Sequence, residues 1–223
     1  MHRIETYPTR ATRVVEVFAD VVCPFTHVGL QRLVAGREAL DRRDVVLRVH
    51  AWPLEIVNEA PLAGDVVAEE VDALRSTVAG GLFQRFDPTR WPSSSLPALA
   101  LAARGYRARD RVGERVSLTL RDALFERGRD IADPAVLAAI AASCQVDMPD
   151  AEDDAAVLAD LEQGRARGVI GSPHFFVDGV GFFCPNLQIE RVGGQLRVAV
   201  DRAALADFLE RCFGPCGRPR ALM

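Results

Sequence analysis

The chain has no lysine: all 27 of its basic residues are arginine. Arginine codons are GC-rich and lysine codons are not, so the gap reflects coding bias before function. Asp and Glu number 31, the formal net charge is −4, and no basic run exceeds two residues. A nucleic-acid partner is therefore not expected. No apolar run approaches the ~18 residues of a membrane span, so no membrane partner is expected either. Cysteine is scarce, five residues in 223, which excludes a disulfide scaffold. The opening MHRIETYPTR has no apolar core and no small-residue cleavage site. No secretory signal is read there, and the reducing cytoplasm is the expected location. Neither GxGxxG nor GxxxxGK[ST] occurs, which removes the two commonest phosphate-cradling loops.

What is present is ordinary globular material, 49% apolar and 26% charged. The length fits one large domain or one domain carrying an insertion. Val14–Ala19 reads as a buried strand and Val45–Ala51 as a second. Between them Pro24 sits at a first helical position, followed by Val28, Leu30, Leu33 and Val34. From about Pro61 to Leu161 the pattern is helical. One stripe is Val67, Val71, Leu74 and Val78; another is Val112, Val116, Leu120 and Leu124; a third is Leu137, Ile140, Ala141 and Cys144. Asp133-Pro134 is a helix start, and Phe86–Pro97 a loop. Strands return at 171–177 and 180–183 around Asp178-Gly179, then flank Gly193-Gly194, and a last helix begins at Asp201. The two ends form an α/β domain into which the helical block is inserted.

With five cysteines the question is which thiol reacts. Cys23 ends a strand and begins a helix, where unpaired N–H groups and the helix dipole would lower its pKa. Thr26, three residues on, can donate to the sulfur. The bland alternative is a small apolar plug. Pro173 opens an apolar strand and belongs on an edge or in a turn. An ordinary trans bond is the commoner reading of such a proline. A cis bond would turn the Ser172 N–H and C=O outward toward an extended substrate. His27 either stabilises a thiolate or covers the apolar face of the helix. His174 has the same two readings, His50 is structural, and His2 lies in a frayed end. Cys144 and Cys212 fall on apolar stripes and read as core. Cys184 ends a strand and Cys216 lies in the tail; spacing supports neither as a resolving thiol for Cys23. Trp52 and Trp91 read as core, with the Trp91 loop a candidate wall of a cleft. No metal or prosthetic group is indicated.

Taken together, strand–Cys23-Pro24-Phe25-Thr26–helix, a helical insertion, GVIGSPHFFVDG and a terminal helix resemble the DsbA-like branch of the thioredoxin superfamily. FrnE-like proteins, kappa-class glutathione transferases and 2-hydroxychromene-2-carboxylate isomerases are its relevant members. The resemblance implies an α/β, thioredoxin-like fold with an all-helical insertion domain. Residues 13–60 and 162–213 would form the thioredoxin-like domain, 61–161 the insertion, and 1–12 and 214–223 flexible ends. Cys23 matches the attacking residue of CPxC, Pro173 the family's cis-proline and Ser172 the residue before it. Pro24, Phe25 and His27 would join Ser172 and Pro173 in holding substrate. Thr26 stands where the dithiol members have a second cysteine; the kappa and isomerase members carry serine in place of Cys23. The implied function is a monothiol thiol-disulfide oxidoreductase working through mixed disulfides with protein disulfides or small thiols. Glutathione or another low-molecular-weight thiol would be co-substrate, not a bound cofactor. The alternatives are a thiol transferase or isomerase, in which Cys23 and Thr26 only polarise a bound thiol, and a non-catalytic binding protein. Homodimers are common among the kappa-like members and are possible here.

Overall fold

The β-branched run at Val14 becomes the central strand of a mixed sheet. In the computed structural model, which describes residues 12–214 except Asn186, β1 (Arg13–Ala19) pairs parallel with β2 (Val45–Ala51). Its other edge pairs antiparallel with β3 (His174–Val177), which pairs with β4 (Val180–Phe183), giving the order β2-β1-β3-β4. A strand flanked on both edges with both faces covered carries few polar side chains, and Val15, Val17, Phe18 and Ala19 are fully buried. α1 (Pro24–Ala39) connects β1 to β2. The β3–β4 turn places Asp178 and Gly179 at φ 50° and 79°, the left-handed pair that a two-residue hairpin favours. β5 (Gln188–Val192) and β6 (Gln195–Ala199) form a separate ribbon, and α8 (Arg202–Phe213) starts on Asp201, whose carboxylate accepts from the Ala203 and Ala204 N–H groups. His2, Cys216 and nearly all of both expected flexible ends lie outside the described residues.

Between β2 and β3 run α2 (Leu54–Val57), α3 (Gly64–Thr77), α4 (Leu96–Ala108), α5 (Asp110–Arg121), α6 (Pro134–Cys144) and α7 (Ala151–Ala166). Val67, Val71, Leu74, Val116, Leu120, Leu137, Ile140, Ala141 and Cys144 are buried as their spacing implies. α5 continues into a wider π-helical turn, Asp122–Glu126, that buries Leu124 and Phe125. Asp133 caps α6 through the Ala135 N–H at 2.8 Å. Three helices carry no stripe that the sequence separates. α4 is apolar on every side from Leu96 to Ala103, α2 is a single turn, and α7 buries only Val157, Leu161, Gly164 and the capping Asp153.

The helical block closes the exposed edge of the sheet. β2 has no strand on its outer side, so alternate N–H groups there would be unpaired. Instead Leu47 N–H donates to Glu114 Oε2 at 2.8 Å, Val49 N–H to the Tyr106 hydroxyl at 2.9 Å, and Ala51 N–H to Asp160 Oδ2 at 2.9 Å. Tyr106 returns its own proton to the Leu47 carbonyl at 3.1 Å. Side chains from α4, α5 and α7 thus replace a fifth strand, satisfying buried donors that would otherwise each cost about 1–3 kcal/mol.

Tyr106 can reach the strand because α4 and α5 cross at Gly105 and Gly113. A Cβ on Gly113 would lie 2.2 Å from Tyr106 Cγ. The ring cannot retreat without breaking its two bonds to β2. Gly113→Ala is expected to destabilise the protein by ~2 kcal/mol, overpacking outweighing alanine's ~1 kcal/mol helix advantage. A urea titration checks this; an unchanged or raised midpoint would show that the ring moves aside freely.

Candidate active site

β1 and β3 are adjacent and antiparallel, with Phe18 opposite His174. The residues just beyond Phe18 therefore meet those just before His174. Cys23 is the extended residue that opens α1 (φ −84°, ψ 115°), Pro24 occupies the first turn, and the Cys23 carbonyl accepts the His27 N–H at 3.2 Å. On the β3 side the Ser172–Pro173 peptide is cis. Three bonds join the segments. The Asp20 N–H donates to Ser172 Oγ at 3.0 Å, the Thr26 and Ser172 hydroxyls are 3.0 Å apart, and the Cys23 thiol donates to the Ser172 carbonyl at 3.2 Å. Cys23, Thr26, Ser172 and Pro173 thus form one group. The Ser172 carbonyl does not stand open for an incoming chain, as a cis bond alone suggested; the Cys23 thiol occupies it.

The expected depression of the Cys23 pKa does not hold in this closed arrangement. Burial pushes the thiol up, and the charge of Glu70 on α3 adds to that. The hydrogen bonding of Ser172 and Thr26 pulls the other way without prevailing. Cys23 is 3% exposed, and a helix N-terminus stabilises a thiolate by less than full desolvation costs it. Glu70 is itself raised to about 7, by its own burial first and by Glu69 second.

Behind the thiol lies a polar network that the sequence reading missed. Asp20 is fully buried, and its carboxylate accepts from the Val22 N–H at 3.2 Å, the Leu54 N–H at 2.6 Å and the Ser95 hydroxyl at 3.0 Å. Its carbonyl accepts from Arg121 at 3.1 Å, and Arg121 also bonds the Ser117 hydroxyl and carbonyl. Burial lowers Arg121 to about 10, so it stays a cation at neutral pH. Asp20 stands directly after a strong strand, which was a usable signal for a site residue; Arg121 carried none.

His27 is corrected. Its ring is 1% exposed, packs against Phe83 and Phe125 with centroids 5.3 and 5.1 Å away, and pairs through Nε2 with Glu126 Oε1 at 2.7 Å. It ties α1 to the helical block and lines no open site. Pro24 and Phe25 are buried too and offer little surface to a substrate. Trp91 donates from Nε1 to the Leu62 carbonyl at 2.8 Å and borders a crevice of about 10 Å³ shared with Asp20 and Ser95. A larger cavity of about 220 Å³, lined by Tyr106, Ser117, Arg121 and Asp160, does not include Cys23. His50 is structural, held by Asp160 and Glu16, while His174 stacks on Phe176 with centroids 4.8 Å apart. Cys144 and Cys212 are 1% and 0% exposed, in the core.

Burial raises the Asp20 carboxyl from 3.8 to about 6, outweighing its donors and the Arg121 charge. The folded state therefore binds this proton more tightly than the unfolded state. Stability from this group is full below about pH 4 and is lost as pH rises through about 6. Asp20→Asn removes the titration but leaves an amide facing one of the N–H donors. Its urea midpoint should be lower at pH 4 and flatter between pH 4 and 6.5 than that of the unmodified protein. Parallel curves would refute a raised Asp20.

A DSBA-like thioredoxin domain model matches residues 14–197. No curated protein matches the chain. Among solved structures, a probable DsbA oxidoreductase from Streptomyces coelicolor is 17% identical, with 95% of this chain and 94% of that one covered and a TM-score of 0.61. The cytosolic disulfide reductase DsbM from Pseudomonas aeruginosa is 17% identical over 89% of this chain and 93% of its own, TM-score 0.52. A 2-hydroxychromene-2-carboxylate isomerase is 16% identical over 76% and 88%, TM-score 0.58. These likenesses establish a shared fold. The domain match spans most of the chain and contains both the Cys23 helix start and the cis Ser172–Pro173 bond: the protein belongs to the DSBA-like thioredoxin-domain family.

Proposed function

We propose that the protein is a thiol-disulfide oxidoreductase in which Cys23 is the nucleophile. The observation that carries this is the placement of the Cys23 sulfur, at a helix N-terminus, beside Thr26 and against the cis Ser172–Pro173 peptide. The Cys23 thiolate attacks one sulfur of a disulfide. A new S–S bond forms to Cys23, the old one breaks, and the second sulfur leaves as a thiolate. The Ser172 carbonyl and hydroxyl, freed from Cys23 and Thr26, would hold the extended substrate. The local motif has no second cysteine, so release needs a thiol from elsewhere. A low-molecular-weight thiol in the cytoplasm is the proposed donor, with glutathione, the GSH of one DsbM structure, the first to try.

Attack requires that Cys23 leave its buried setting, because only the thiolate reacts. Ser172 and, after it, Thr26 are the groups that favour that form in place. Thr26→Val should slow alkylation of Cys23 at fixed pH by roughly fivefold to tenfold, one lost hydrogen bond to a charged sulfur. Peptide mapping localises the adduct, and an unchanged rate would remove Thr26 from the mechanism.

A second reading is a thiol transferase or isomerase, favoured by the hydroxyl pair of Thr26 and Ser172 at 3.0 Å. There a bound small thiol is the nucleophile and Cys23 only helps to polarise it. Cys23→Ser separates the two. Turnover of a small disulfide in the presence of glutathione should fall at least ~100-fold if Cys23 is the nucleophile. Retention of most activity would reject the oxidoreductase reading in favour of the second.

A further inference from the structure

We infer that Cys184 is the internal thiol that resolves the Cys23 mixed disulfide, making the two a long-range redox pair. The inference rests on Cys23 being the nucleophile. Its basis is the pair of hydrogen bonds to the carbonyls of the Ser172–Pro173 dipeptide. The β3–β4 register places His174 opposite Phe183, so the next pair outward is Pro173 and Cys184. The Cys184 N–H donates to the Pro173 carbonyl at 3.0 Å, while the Cys23 thiol donates to the Ser172 carbonyl at 3.2 Å. Consecutive carbonyls of one dipeptide therefore anchor the two cysteines, although 161 positions separate them in the chain (184 − 23). Both are buried, at 3% and 8% exposure, in the same apolar cluster, and both are free thiols here. Cys184 also holds a left-handed backbone, φ 42°. Non-glycine residues rarely adopt this conformation, and where they do it often marks a functional position. Among the described residues, Cys144 shares that cluster but, like Cys212, makes no bond to the Ser172–Pro173 dipeptide. Cys144 neighbours Thr119 on α5, and Cys212, on α8, packs in a separate apolar cluster with Leu30 and Leu33 of α1.

Electrostatics orders the steps. Burial pushes the Cys184 thiol up to about 12, and charge on Cys23 adds to that. With Cys23 held in a mixed disulfide, no thiolate can form there to raise Cys184 further, and the remaining obstacle to its ionisation is burial. The Cys184 thiolate then attacks the Cys23 sulfur. The Cys23–Cys184 bond forms, the Cys23–substrate bond breaks, and the substrate sulfur leaves as a thiolate that takes up a proton. Over both steps two protein thiols are oxidised and one external disulfide is reduced to two thiols. An internal thiol presents an effective concentration on the order of millimolar, so it outcompetes dilute thiol from solution.

The test uses the full chain and oxidised glutathione as the probe. After brief oxidation and acid quenching, non-reducing peptide mapping should find Cys23 linked to Cys184, with little glutathione on Cys23. Cys184→Ser, and Cys184→Ala should the first variant misfold, should instead accumulate the Cys23–glutathione adduct at least ~10-fold over the unmodified protein. Persistence of that adduct in the unmodified protein, with Cys184 still alkylatable, would overturn the pair while leaving Cys23 as nucleophile. A link from Cys23 to any other cysteine would overturn it likewise. No reaction at Cys23 at all would remove both this inference and the function on which it rests.

Discussion

The carboxylate of Asp20 is the fixed point of this site. It is withdrawn from water, and with its own backbone it reaches four segments: the loop that ends in Cys23, the start of α2, the start of α4 and the Ser172–Pro173 entry to β3. A buried carboxylate without donors would be far costlier than the neutral acid. The fold supplies three donors and, through its carbonyl, the Arg121 guanidinium. These bonds hold the loop at rest, because a shift of Cys23 relative to the helical block strands a polar group until a substrate compensates it. The thioredoxin-like sheet and the helical block are held in register at the point where the chemistry would occur.

That rigidity creates an opposition at the sulfur. A helix N-terminus and the Thr26 and Ser172 groups favour a thiolate; exclusion of water disfavours it, and the second effect prevails. The resting thiol donates to the Ser172 carbonyl, a bond that exists only for the protonated form. The closed site is thus complementary to the protonated, unreactive form of Cys23. A substrate that takes over the Ser172 carbonyl would remove the bond that holds the proton in place.

Local signals made most of the framework legible. The β-branched run at Val14, the Asp178-Gly179 turn, the Asp133-Pro134 start and the periodic valines of α3 are statements about near neighbours, and such statements survive folding. The juxtaposition of Cys23 with Ser172 and Pro173 was legible only through resemblance, since no pattern within the chain links positions 149 residues apart. The remainder was long-range polar pairing. Asp20 with Ser95, His27 with Glu126 and Tyr106 with Val49 join residues 75, 99 and 57 positions apart. A histidine four residues after a cysteine looks like its partner on paper. Here it is turned away because Glu126 and two phenylalanine rings accept it from the other side. The sign of the Cys23 shift was missed for a related reason: a dipole is visible in a motif, whereas burial is a property of the whole molecule.

The side chains that cap the outer edge of β2 also bear on how the chain reaches this state. Leu47, Val49 and Ala51 wait for residues 114, 106 and 160, all of which emerge from the ribosome after the strand. Until the helices that carry them are folded and docked, β2 is an apolar strand with a bare row of amides. This is the kind of edge that pairs with other chains. The helical block therefore serves the sheet as a built-in chaperone, shielding late what translation exposes early.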